Sequence, residues 1–137
     1  MVVSNQSGVA RGLFDEAAVE RVNRRVAELL LAADPAAAID AFYYCPHLPP
    51  DPSTAAAGFR RDCECRKPRA GLFLRAARDL GLDLARSIAF GDSDRDVDAA
   101  RAAGCARAVL VGPQGTPPTL RSTVDAALAE LQPDAPR

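Results

Sequence analysis

The sequence has little that would suit a highly charged partner or a membrane. Of its 137 residues 26% are charged, and the net charge is -1. Such a balance provides no basic face for nucleic acid or an acidic membrane surface. There is also no run of about 20 apolar residues and no positively charged signal-peptide start. We therefore expect a cytoplasmic protein that binds neither nucleic acid nor membranes.

Aromatic residues, histidine and cysteine are scarce as well. Aromatics make up 5% of the chain, tryptophan is absent, and there are one histidine and four cysteines. The apolar share of 48% and the length are enough for the core of a single domain. Thiols stay reduced in the cytoplasm, so clustered cysteines there favour a metal site over disulfides. Cys105 stands apart in an apolar stretch, and we expect it to be a small core residue.

Short apolar runs alternate with segments of helical periodicity. Strands are predicted at residues 1–3, 39–44, 87–90 and 106–111. Helices are predicted after an N-cap at Asp15 and up to Pro35, from Pro68 in the first turn to Gly81, at 94–103 and at 119–131. This order is typical of an α/β fold with a doubly wound parallel sheet, whose ligands bind at the carboxyl ends of the strands. We expect one domain over residues 1–137, with a disordered tail at 133–137.

The few cysteine and histidine residues are concentrated in residues 45–67. Cys45 and His47 precede a loop of residues 48–62, and Cys63 and Cys65 follow it. Residues i and i+2 of an extended chain point the same way, so each pair can form half of a clamp. Three thiolates and one imidazole suit a closed tetrahedral zinc site. The alternative is a disulfide with an unconnected histidine.

An acidic turn follows the third predicted strand and contains Asp92, Asp94 and Asp96. An EF-hand loop would need glycine and glutamate where Val97 and Ala103 stand, so that kind of calcium site is excluded. Carboxylates on a loop suit Mg²⁺, which keeps waters and binds substrate phosphate. Helix capping explains the same residues equally well, and we expect at least one of the three aspartates to cap.

Polar residues also follow the first strand and the cysteine-rich segment. Ser4, Asn5 and Ser7, with the amides of their turn, could form a phosphate cradle, or they could be ordinary turn residues. Lys67 could neutralise phosphate charge, and Arg66 could bind an anion through two hydrogen bonds. Together with the acidic turn, these groups favour magnesium-assisted phosphoryl transfer. A nucleophile is missing from this set, because the single histidine is assigned to the metal.

These motifs resemble the haloacid-dehalogenase (HAD) superfamily. The resemblance is closest to its zinc-containing subfamily IIIA branch, which acts on heptose bisphosphates and has histidinol-phosphate phosphatases as near relatives. It runs from Met1 to about Gly112 and implies a Rossmann-like sheet and magnesium-dependent hydrolysis of a sugar phosphate. The segments that carry it are Ser4-Asn5-Gln6-Ser7-Gly8-Val9-Ala10-Arg11-Gly12, Cys45-Pro46-His47, Cys63-Glu64-Cys65-Arg66-Lys67-Pro68 and Gly91-Asp92-Ser93-Asp94-Arg95-Asp96.

The resemblance implies a role for each motif residue. Ser4 would donate a hydrogen bond to the transferring phosphoryl group, and Lys67 would stabilise its charge. Asp92 would help to hold Mg²⁺, and Arg66 would contribute to substrate recognition. The remaining residues that it assigns are Asn5, Gln6 and Ser7 along the substrate site, and Cys45, His47, Cys63 and Cys65 as zinc ligands.

The first motif of the superfamily, Asp-x-Asp-Gly at the end of a central strand, is absent ahead of Ser4. Its first aspartate is the nucleophile in that superfamily, and its second is the general acid and base. We therefore expect the sequence to be truncated at its start. The expected function is a heptose-bisphosphate phosphatase. The alternatives are a histidinol-phosphate phosphatase and a catalytically inactive, zinc-stabilised fragment. We expect a small sugar phosphate as the ligand and a monomeric protein.

Overall fold

Strands and helices alternate along the chain, which confirms the predicted α/β class. The computed structural model describes residues 1–50, 58–112, 122 and 124–126. Residues 122 and 124–126 are helical, whereas the rest of the predicted helix at 119–131 and the predicted tail at 133–137 lie outside the described residues. The elements are β1 (Val2–Asn5), α1 (Glu16–Ala33), β2 (Phe42–Cys45), α2 (Gly71–Leu80), β3 (Ile88–Gly91), α3 (Asp94–Ala102) and β4 (Arg107–Leu110), with a 3₁₀ turn at Leu84–Arg86.

The described strands pair as two separate parallel ribbons. In the first, Val2 of β1 lies opposite Phe42 of β2, and in the second, Ile88 of β3 lies opposite Arg107 of β4. Among the described residues, no strand joins β1 to β3. The sequence analysis predicts parallel strands, as observed, but not their division into two ribbons.

The ends of α1 follow the predicted signals, but the burial of its apolar face does not. Asp15 caps the helix, with its Oδ1 atom accepting a hydrogen bond of 2.7 Å from the Ala18 N–H. Val19 is buried, whereas Val22 and Leu29 are 62% and 52% exposed. The described part of the chain therefore covers only the beginning of the apolar face of α1.

Helix α2 starts later than predicted. Pro68 does not lie in its first turn, because the helix begins at Gly71 and residues 64–70 form turns and bends. The Gly71 N–H donates to the Glu64 carbonyl at 3.0 Å. A Cβ atom at position 71 would lie 2.2 Å from that carbonyl oxygen, so glycine permits the contact. The helix ends as predicted at Gly81, which has a φ of 65°.

Both ribbons pack on one small core made by α2 and α3. Phe73, Ala99 and Ala100 are buried at its centre. The partly buried residues packed against them come from both ribbons and from the end of α3, and are Val3, Ala89, Ala103, Cys105 and Ala108. Cys105 packs against this core, as predicted, although it is half-buried. The small alanine side chains of α3 let β3 and β4 approach the helix closely.

Replacing Phe73 with alanine should lower the free energy of unfolding by about 3 kcal/mol, because it leaves a cavity beside two alanines. Urea titration followed by circular dichroism measures the change. Leu74→Ala is the matched control on the same helix, since Leu74 is 51% exposed, and should cost less than about 1 kcal/mol. Equal losses in the two variants would contradict this assignment of the core.

Candidate metal centre and phosphate site

Four side chains from residues 45–65 meet beside the end of β2. The Sγ atom of Cys45 lies 3.6 Å from Nδ1 of His47, 3.6 Å from Sγ of Cys63 and 3.2 Å from Sγ of Cys65. Nδ1 of His47 lies 3.3 Å from Sγ of Cys65, and all four ligand atoms lie within 4.8 Å of one another. All four cysteines of the chain are free, so the disulfide alternative is wrong.

Backbone pairing brings the two halves of this cluster together. Leu48 and Arg60 form an isolated parallel bridge near the ends of the loop. The Leu48 N–H donates to the Phe59 carbonyl at 3.1 Å, and the Arg61 N–H donates to the Leu48 carbonyl at 2.9 Å. Residues 51–57 of the loop lie outside the described residues. The cluster is therefore closed at its base by hydrogen bonds as well as by its own side chains.

The donor set fits a tetrahedral zinc ion. Zn–S bonds of about 2.3 Å place tetrahedral ligand atoms about 3.8 Å apart, close to the separations in the cluster. Burial raises the pKa of the Cys45 and Cys65 thiols, so thiolates here call for a cation. Burial lowers the pKa of His47, and the charge of Arg61 lowers it further, which favours the neutral ring that a metal requires. The Arg61 Nε atom also lies 3.0 Å from Nε2, the ring nitrogen of His47 that faces away from the cluster.

A second polar site lies two residues after Cys65, around the buried side chain of Lys67. The Lys67 ammonium lies 2.6 Å from Oδ1 of Asp96 and donates to the Val3 carbonyl at 2.7 Å. The side chains of Lys67 and Asp96 are only 10% and 16% exposed. The ammonium group therefore joins β1 to the first turn of α3, at the carboxyl end of β3.

Asp96 is held as a carboxylate at this site. Burial acts to raise its pKa, but the hydrogen bond from Lys67 and the one from Ser93 outweigh it and lower the pKa of Asp96 to about 2. The Ser93 hydroxyl donates to Oδ2 of Asp96 at 2.6 Å, and the Ser93 N–H donates to the same oxygen at 3.1 Å. Asp96 thus caps the start of α3, as expected of at least one aspartate, while it also pairs with Lys67.

The sequence analysis did not distinguish Asp96 from the other two aspartates of the acidic turn. It assigned only Asp92 to Mg²⁺. The signal that could have separated it is the Ser-x-x-Asp spacing of Ser93 and Asp96, which is typical of a capping pair. Asp92 itself follows β3 directly and is exposed to solvent. A carboxylate at the end of β3 and a carboxylate one turn later therefore border the Lys67 site.

The polar residues at the end of β1 and just after it divide between two kinds of contact. Strand β1 extends to Asn5 and so two residues further than predicted. The Gln6 Nε2 atom donates to Oγ of Ser4 at 3.2 Å. The Asn5 side chain bonds to the backbone of Lys67, and the Ser7 carbonyl accepts from the Arg11 N–H in a turn. Ser4 follows Val3 directly in β1, and the carbonyl of Val3 accepts a hydrogen bond from the Lys67 ammonium.

Arg66 contacts the first half of the candidate metal cluster. Its Nη1 atom donates to the His47 carbonyl at 3.0 Å, so the guanidinium lies against the first half of the cysteine and histidine cluster. The role of Arg66 in substrate recognition stays a prediction. The arrangement means that the metal segment and the lysine that follows it are held as one unit.

The fold and the two sites define an α/β protein of the HAD type, with a metal-binding segment before its lysine. The chain belongs to the HAD-hydrolase-like family, whose model matches residues 64–134. The resemblance drawn from the motifs is therefore confirmed at the level of the family. Among the described residues, no helix has the length and apolar character needed to cross a membrane.

Two relatives of the chain carry the same name. The chain is 39% identical over 111 residues to the D-glycero-beta-D-manno-heptose-1,7-bisphosphate 7-phosphatase of Haemophilus ducreyi, covering 81% of this chain and 58% of that protein. It is 43% identical to the protein of that name from Escherichia coli O6:H1, covering 81% and 56%.

One solved structure of similar fold is the D,D-heptose 1.7-bisphosphate phosphatase from B. bronchiseptica complexed with magnesium and phosphate. It aligns with a TM-score of 0.71 and 36% identity over 94% of this chain and 74% of that chain. The present chain spans little more than half the length of the two curated relatives.

Protein purified under reducing conditions should contain about one zinc per chain, since four ligands close a tetrahedral site. Cys63→Ser should lose the metal, because it removes one thiolate. Cys105→Ser is the matched control, as Cys105 packs in the core and is not one of the four ligand residues. Elemental analysis measures the zinc content. Metal-free wild type, or equal zinc in the two variants, would refute the assignment.

Asp96→Asn should remove an acid-sensitive part of the stability. The pKa of Asp96 is lowered from its ordinary 3.8 to about 2 in the folded state, so its stabilisation is present above pH 3.8 and is lost as the pH falls through about 2. The difference in unfolding free energy between wild type and Asp96→Asn should therefore be constant near neutral pH and shrink between these two values.

Urea titrations at several pH values measure that difference. Asp94→Asn is the control, because Asp94 is an exposed carboxylate in the same turn. A wild-type advantage over Asp96→Asn that does not change down to pH 2 would show that the carboxylate of Asp96 is not stabilised in its charged form.

Proposed function

We propose that this chain carries the phosphate-binding and metal-binding part of a magnesium-dependent phosphomonoesterase that acts on D-glycero-beta-D-manno-heptose 1,7-bisphosphate. The observation that carries the proposal is the buried Lys67 ammonium, held between β1 and α3 beside the acidic turn. The curated relatives of this name and the magnesium and phosphate bound by the solved neighbour support the substrate class.

Each residue of the Lys67 site supplies a distinct kind of contact. Lys67 would stabilise the negative charge of the transferring phosphoryl group, and the Ser4 hydroxyl would donate a hydrogen bond to it. Asp92, the exposed carboxylate at the end of β3, would hold Mg²⁺, and Asp96 would keep Lys67 oriented. When bound, Mg²⁺ supplies charge neutralisation for phosphate oxygens. The nucleophilic aspartate implied by the resemblance is not among the residues assigned here.

The metal-binding segment, residues 45–67, has a structural role in this proposal. Cys45, His47, Cys63 and Cys65 would fill all four positions of a zinc ion, which leaves none open for chemistry. The ion would fix the segment that leads into Arg66 and Lys67. Clustered cysteines hold metal more often than they form disulfides in the reducing cytoplasm, and we propose that the protein works there as a monomer.

Binding of the heptose bisphosphate and of histidinol phosphate tests the proposal, because the assigned residues form the binding part of the site. With Mg²⁺ present, the 137-residue chain should bind the heptose bisphosphate and should prefer it to histidinol phosphate. Asp92→Asn should weaken this binding by about 10-fold or more, since it removes a charged metal ligand. Asp94→Asn is the matched control and should keep the wild-type affinity, because Asp94 is an exposed carboxylate of the same turn that is assigned no role in the site.

The outcomes separate the candidate functions. Tighter binding of histidinol phosphate would overturn the substrate assignment. Phosphate release that Asp92→Asn abolishes would exclude the catalytically inactive fragment, whereas binding without any release would favour it. Binding that Asp92→Asn leaves unchanged would exclude the acidic turn from the site.

A further inference from the structure

The Asn5 side chain makes two hydrogen bonds to the backbone of Lys67, a residue 62 positions away. Its Oδ1 atom accepts from the Lys67 N–H at 3.1 Å, and its Nδ2 atom donates to the Lys67 carbonyl at 3.1 Å. Asn5 is the last residue of β1, and Lys67 lies in the turns before α2. The end of one strand is thus fastened to the residue that carries the ammonium group.

A carboxamide is the side-chain group suited to this contact. It presents a donor and an acceptor in one plane, whereas a carboxylate of the same size only accepts. Lys67 is buried, so its N–H and its carbonyl both need partners. Asn5 satisfies both groups at once, as the backbone of a neighbouring strand would do.

The same strand also holds the other end of Lys67. In β1, the N–H groups of Val2 and Gln6 donate to the carbonyls of Ala41 and Cys45, so the alternate residue Val3 turns its carbonyl away from β2. That carbonyl accepts from the Lys67 ammonium at 2.7 Å. Asn5 fixes the backbone of Lys67 and Val3 fixes its charged end, over a distance of two residues along the strand.

We propose that Asn5 is a positioning residue for Lys67, setting where the ammonium group stands relative to Ser4 and Asp96, and that it does not itself contact the substrate. The proposal rests on the proposed function only for the phosphate that Lys67 would bind. It changes the role implied by the resemblance, which places Asn5 along the substrate site. The expected loss in phosphate binding on removing the contact comes from a displaced ammonium and not from a lost substrate contact.

The sequence makes this testable at a single residue, because Lys67 is the only lysine in the chain. Labelling with ¹³C,¹⁵N-lysine gives one backbone amide, one lysine carbonyl and one side-chain Cε signal in NMR spectra. Asn5→Ala should shift all three, since it removes both hydrogen bonds. Asn5→Asp should keep the amide signal close to that of the wild type and shift the carbonyl signal, because aspartate accepts from the N–H but cannot donate to the carbonyl.

Asn23→Ala is the matched control, since it removes the only other asparagine, which lies on α1, and should leave the three signals in place. Titration with inorganic phosphate and Mg²⁺, followed at the Lys67 Cε signal, gives the phosphate affinity of each variant. We expect Asn5→Ala to weaken it by about 10-fold to 100-fold and Asn23→Ala to leave it unchanged.

The readouts distinguish the failure of this proposal from that of the proposed function. Unchanged Lys67 signals in Asn5→Ala, or identical amide and carbonyl shifts in Asn5→Asp and Asn5→Ala, would overturn the positioning role. If the signals shift as expected in the variants but Lys67 of the wild type does not respond to phosphate, the contact is supported and the phosphate site is refuted. If Asn5→Ala does not fold, the near-isosteric Asn5→Asp still decides between the outcomes.

Discussion

The ion pair between Lys67 and Asp96 is the contact on which the rest of the site depends. An ammonium group buried without partners would be strongly destabilising, so the fold must supply acceptors where Lys67 ends. It supplies the Asp96 carboxylate at 2.6 Å and the Val3 carbonyl at 2.7 Å. Because these two acceptors belong to α3 and β1, one charged side chain sets how the two ribbons meet at their carboxyl ends.

The cysteine and histidine cluster restrains the chain segment that leads into the same lysine. Cys65 lies two residues before Lys67, and Arg66 between them donates to the His47 carbonyl. A loop as long as residues 48–62 has a high conformational entropy unless its ends are joined. Four converging ligand atoms and the pairing of Leu48 with Arg60 join them. The candidate metal centre therefore limits the conformational freedom of the segment that carries Lys67.

Features with a local signal could be predicted from the sequence, whereas features made by distant contacts could not. The cap at Asp15, the end of α2 at Gly81 and the grouping of cysteine and histidine pairs each follow from a few neighbouring residues. The choice of Asp96 among three aspartates depends on a lysine from another part of the chain. The late start of α2 depends on Gly71 fitting against a carbonyl seven residues earlier, which no helical periodicity indicates.

The pairing of strands in two ribbons has a consequence for how the molecule behaves in solution. In β1, the backbone groups of Val3 and Asn5 face away from β2, and in β3 those of Ile88 and Phe90 face away from β4, because the alternate residues Ser87 and Gly91 bond to that strand. Lys67 already covers the row on β1, through its ammonium at Val3 and its backbone beside Asn5, whereas among the described residues no strand pairs with the row on β3, which can accept a further strand. At high protein concentration the row on β3 is thus the place where a strand of a second molecule could pair through its backbone.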